Sequence, residues 1–116
     1  MKLIDAITAD AKQTMRLVLD DGSKMDFTLA YKQNQQGWFF SLAYGSFVLT
    51  NRRLTNGPNL LRAFMKIIPF GIACMVQDGL EPIYTDDFTS GRVQLYVLSA
   101  SDVEFAETVI AGYFNG

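Results

Sequence analysis

The chain has 116 residues, 49% of them hydrophobic and 13% aromatic, with ten Lys and Arg against twelve Asp and Glu for a formal net charge of −2. That length and apolar content suit one domain with one core, and 19% charged residues is far from the composition of disorder. Without a basic excess there is no electrostatic footprint for nucleic acid, and no apolar run approaches the roughly 20 residues that span a bilayer, so neither nucleic acid nor membrane is expected as a partner.

The N-terminal "MKLIDAITADAKQ" is interrupted by Asp5 and Asp10 and carries no apolar segment of signal-peptide length, so nothing in it predicts export. In "TMRLVLD", Met15, Leu17 and Leu19 recur at period two, as do Met25, Phe27, Leu29 and Tyr31 in "KMDFTLAYK". Both segments read as half-buried strands, and the "DDGS" between them offers the Asp-Gly pair of a tight antiparallel hairpin. A third strand follows in "WFFSLAY" and a fourth in "FVLTNRRL", after a turn at Gly45 and Ser46.

"TNGPNLLRAFMKI" then combines turn residues, a proline suited to a first helical turn and apolar residues at helical spacing, which predicts a short helix over Asn59–Lys66. "FGIACMVQDG" is a continuous apolar run bounded by glycines and reads as a buried strand in a central position. "EPIYTDDFTSG" is mainly loop, and "RVQLYVLSA" is a last strand with Val93, Leu95 and Val97 on one side and Gln94, Tyr96 and Leu98 on the other. The tail predicts a helix over 101–114, opened by Ser101 and Glu104 in a capping box, with Val103, Ala106, Val109, Ile110 and Tyr113 or Phe114 as its apolar face. The whole is a single mainly β domain over 1–116. It is read as a small antiparallel β-barrel or sandwich of six or seven strands with one short internal helix and a C-terminal helix, and barrel closure would limit exposed edges.

Catalytic chemistry finds little support. The chain has no histidine, which removes the commonest general base and metal ligand, and Cys74 has no second cysteine to pair with and lies in an apolar run. No catalytic, cofactor or metal site is expected. "NRRLTNGPNLL" has one glycine, no Gly-Lys-Ser/Thr ending and a proline where backbone donors would be needed, so it is not a phosphate loop. Asp86 and Asp87 are adjacent in a loop and read as turn capping rather than as an acid–base pair. Arg52 and Arg53 are consecutive in a strand and point to opposite faces, as do Trp38 and Phe39, so one aromatic is expected in the core and the other at the surface. These four residues are the candidate interface.

Taken together, "MRLVLDDGSKMDFTLAY", "GWFFSLAYG", "LTNGPNLLRAF" and "DGLEPIYTDDFTSGRVQLYVL" resemble, over residues 13–98, the small plug proteins of contractile-tailed phage baseplates, a family defined on cyanophage-type baseplates. The shared features are the first hairpin, a tryptophan-bearing strand, a Leu-x-x-Gly-x-Asn-Leu-Leu element, and an Asp-Phe-x-x-Gly segment before a Leu-Tyr strand. The resemblance implies a structural rather than catalytic virion protein near the tail axis, where the tube meets the central hub and spike. Its partners would be other baseplate, hub and tail-tube proteins and further copies of itself, and assembly would take place in the host cytoplasm. Carried over residue by residue, Gly57, Asn59, Leu60 and Leu61 match the first element and Asp87, Phe88 and Gly91 the second. Both read as architectural. The competing class is a small β-barrel that binds a ligand or carbohydrate through Trp38 and its aromatic neighbours.

Overall fold

The computed structural model describes residues 1–115, with side-chain environments for residues 1–108. Seven strands run in chain order as β1 (Lys2–Leu3), β2 (Lys12–Val18), β3 (Lys24–Lys32), β4 (Gly37–Tyr44), β5 (Phe47–Arg53), β6 (Gly71–Val76) and β7 (Val93–Leu98), and the helix α1 spans Ala100–Asn115. They form two antiparallel sheets, ordered β2-β3-β4-β5 and β1-β7-β6. The sheets face each other as an open sandwich, so of the two expected forms the chain takes the sandwich and not the closed barrel.

The four-stranded sheet follows from alternation. Met25, Phe27 and Leu29 of β3 and Trp38, Phe40 and Leu42 of β4 all point inward and are buried. In the β2–β3 hairpin, Leu19 N–H donates to Ser23 O, and Gly22 takes φ +85°, a left-handed conformation that glycine adopts without a side-chain clash. Ile72, Cys74 and Val76 of β6 and Val93 and Leu95 of β7 close the core from the other side.

Three expectations are corrected. β6 is an edge strand rather than a central one, but its outer edge is covered: Gly57 and Cys74 exchange both N–H···O bonds at 2.9 Å, and Leu60 N–H donates to Ile72 O. The helix over Asn59–Lys66 is only a 3₁₀ turn at Arg62–Phe64. Residues 57–60 spend their backbone groups on β6 instead of on a helical ladder, and Pro69 ends the segment before a second turn can form. The capping box lies two residues earlier than expected, where Ser99 Oγ accepts from Asp102 N–H and Asp102 Oδ2 accepts from Ser99 N–H.

The helix covers a sheet face. Val103 packs with Ala73 and Leu98 on the outer face of the three-stranded sheet, and Arg62 Nε donates to Glu107 Oε1 at 2.6 Å. The side chains of Val109, Ile110, Tyr113 and Phe114 lie outside the described residues. No helix is long and apolar enough to cross a membrane, among the described residues.

Candidate functional site

The two arginines owe their placement to a bulge. β4 and β5 change register between Phe40 and Leu42, where Asn51 takes φ +51° and donates its N–H to Ser41 Oγ at 3.0 Å. The extra residue sets Arg52 opposite Phe40 and Arg53 opposite Phe39. Since Phe40 faces the core, Arg52 leans along the inner rim, with its guanidinium 5.9 Å from the Phe64 ring. Arg53 lies on the outer face, 5.5 Å from the Phe39 ring, and Lys32 Nζ is 4.7 Å from the same ring. The Arg53 guanidinium also donates to Gln35 O and Gln36 O at 3.3 and 3.2 Å, which anchors an otherwise exposed side chain. The result is a fixed pair of cations on a half-buried aromatic plate.

Trp38, one residue away, is 1% exposed. Its ring meets Tyr31 and Phe88 edge-on at 5.3 and 4.9 Å, and Nε1–H donates to Tyr84 O at 2.9 Å. Of the two neighbouring aromatics, Phe39 is the one within reach of a partner. A sugar would find no tryptophan face to stack on.

The glycine–asparagine element is a clasp across β6. Asn59 is 8% exposed, and its Oδ1 accepts from Leu61 N–H at 3.0 Å and Ile72 N–H at 3.3 Å. Its Nδ2 has no hydrogen-bond partner among the described residues. Gly71 makes room for this side chain: a Cβ there would stand 2.5 Å from Asn59 Oδ1. Leu61 is fully buried, and Leu60 packs against the core.

The aspartate–phenylalanine element is a second clasp, on the loop between β6 and β7. Asp87 is 0% exposed; Oδ2 accepts from Tyr84 N–H at 2.8 Å and Oδ1 from Arg92 Nη1 at 2.8 Å. Arg92 reaches on to both carboxylate oxygens of Asp78, at 3.0 and 3.2 Å, and to Glu81 O at 3.0 Å. Its hydrogen bond holds the Asp78 carboxyl below the usual carboxylate range. Phe88 fills the space beside Trp38, and Gly91 turns the chain at φ +80°. Arg92, the centre of this network, escaped the sequence reading; its only local signal is its place five residues after Asp87.

With both Asp87 oxygens engaged and Asp86 exposed, the two carboxylates do not share an environment in which one could serve as acid and the other as base. Cys74 is buried, and burial, followed by the charges of Glu81 and Asp87, pushes its thiol up to about 12, the opposite of an activated nucleophile. No group of metal-ligating side chains assembles among the described residues. These groups pin loops and present a surface. Comparison with curated proteins returns no match. A family model does match, over residues 1–100, a span that takes in both sheets and both clasps: the chain belongs to the family described as cyanophage baseplate Pam3 plug gp18 and has the structural, baseplate role of that family.

Proposed function

We propose that the protein plugs or bridges the junction between the tail tube and the central hub of a contractile-tail baseplate, and that the outer surface around Phe39 and Arg53, with Arg52 on the adjoining rim, is a contact surface. The observation that supports this most is the family match across the whole sandwich. Arg53 adds to it, because its guanidinium is held by backbone carbonyls and an aromatic ring rather than by an acid, leaving its charge available to a carboxylate on a neighbour. The elements Gly57, Asn59, Leu60, Leu61 and Asp87, Phe88, Gly91 act here as architecture that keeps the sandwich rigid, and no catalysis is invoked.

The test is co-expression with tube and hub proteins of the same phage, with masses read by light scattering after gel filtration. A co-eluting complex is expected, weakened at least about tenfold by Arg53→Glu while the variant keeps its thermal midpoint. A chain that stays monomeric beside both neighbours would overturn the bridging role.

A further inference from the structure

Four strand edges bound the two sheets, and three are obstructed. β1 is two residues long, β6 is covered by residues 57–60, and β5 is kinked by the bulge at Asn51. β2 differs. It is seven residues long, contains no proline, and pairs with β3 in unbroken register from Lys12↔Ala30 to Val18↔Lys24. Tyr31 N–H donates to Ala11 O and Leu19 N–H to Ser23 O, so the antiparallel alternation turns the backbone groups of Gln13, Met15 and Leu17 toward β3 and those of Lys12, Thr14, Arg16 and Val18 outward. Those outward groups have no other backbone partner among the described residues.

Side chains along the same edge are incompletely covered. Gln13, Met15 and Leu17 are on the inner face yet only half-buried, and Met15 and Leu17 pack against the core with one flank open. On the outer face Lys12, Arg16 and the neighbouring Lys24 stand against one acid, Asp26, which is 2.9 Å from Arg16. Antiparallel pairing of two copies through β2 would bring these cations together across the seam, a like-charge arrangement that disfavours it. Asp10, Asp20 and Asp21 lie beyond the ends of the strand, so an acidic occupant is favoured only along its length.

We propose that β2 is the docking edge for an extended segment of a different protein, which adds a fifth strand to the β2-β3-β4-β5 sheet. In that segment apolar residues complete the cover over Met15 and Leu17, and alternating acidic residues face Lys12 and Arg16. The inference stands apart from the tube-and-hub placement, because it concerns the isolated chain and one strand edge.

The probe is an acetylated peptide of seven residues that alternates valine with glutamate, matched by one that alternates valine with lysine, and the readout is amide hydrogen exchange of the isolated protein by NMR at millimolar peptide. The glutamate peptide is expected to slow exchange at Thr14, Arg16 and Val18 by about tenfold while the lysine peptide leaves them unchanged. Arg16→Pro should abolish the effect: it removes an outward N–H and keeps the ladder to β3, whose bonds come from Met15 and Leu17. Lys12→Glu provides a second variant that leaves the backbone alone, and it should shift the preference toward the lysine peptide. No slowing with the glutamate peptide, equal slowing with both peptides, or an unchanged preference in Lys12→Glu would overturn the proposal. So would protection of these amides that rises with protein concentration alone, which would assign the edge to a second copy.

Discussion

β2 to β5 are joined by hairpin connections of a few residues, so their ladder is built from contacts close in sequence, whereas β6 and β7 are separated by residues 77–92 and β7 pairs on its other side with β1 from the opposite end of the chain. The first sheet is specified by alternating apolar side chains and needs little else. The second depends on single polar groups, Asn59 and Asp87, that tie long connections onto it. Apolar periodicity is therefore sufficient where the chain returns at once, and named hydrogen bonds are needed where it wanders.

Four experiments would break or sharpen that contrast. Phe27 is fully buried in the middle of the four-stranded sheet, so Phe27→Ala should cost about 3–5 kcal/mol by denaturant titration and should also slow refolding if the meander forms first. Normal refolding in that variant would mean that the local sheet is not the early one. Asp87→Ala strips the loop of its buried acceptor and should lower the thermal midpoint by about 10 °C. Here the change should sit mainly in the unfolding rate, and a refolding defect as large as that of Phe27→Ala would erase the distinction between the sheets.

The clasp on β6 comes next. Asn59→Ala and Gly71→Ala should each cost about 1–3 kcal/mol, the first by orphaning two backbone donors and the second by driving the same amide from its place. Because both act on one contact, the double variant should cost clearly less than the sum, and additivity would count against the clasp. The smallest effect is on pH dependence. The folded-state pKa of Asp78 is lowered, chiefly by its hydrogen bond from Arg92, so its contribution is present above the ordinary carboxylate range and is lost as pH falls through the lowered value. Thermal midpoints should fall as the pH drops below about 5 and keep falling below the ordinary carboxylate range, and Asp78→Asn should flatten the acid end of that curve slightly.

The same contrast explains what could be read from the residues. Met25, Phe27 and Leu29 alternate visibly, and with Gly22 they locate the hairpin from the sequence alone. The outward side of β7, with Tyr96 and Leu98, was also readable, although what covers it was not. Leu60, Leu61, Phe64 and Ile68 suggest a helix, but the acceptors that capture this backbone lie on β6, beyond any local window. Ser101 and Glu104 satisfy the capping pattern as well as Ser99 and Asp102 do, and only the end of β7 decides between them. Among the candidate surface residues, the separation of Trp38 from Phe39 follows from strand geometry. The anchoring of Arg53 does not, since it depends on a bulge at an asparagine with positive φ.

Trp38 is the chain's single tryptophan, and its indole donates to a carbonyl of the loop that the second clasp holds. The molecule thus carries one indole fluorophore, separable from its five tyrosines by excitation at the red edge, at the place where its two halves meet. Its emission should be that of a dry, hydrogen-bonded indole while the loop is docked and should move to longer wavelength when the loop lifts away. Loop detachment and global unfolding can then be timed separately against far-ultraviolet circular dichroism, without attaching any label to the protein.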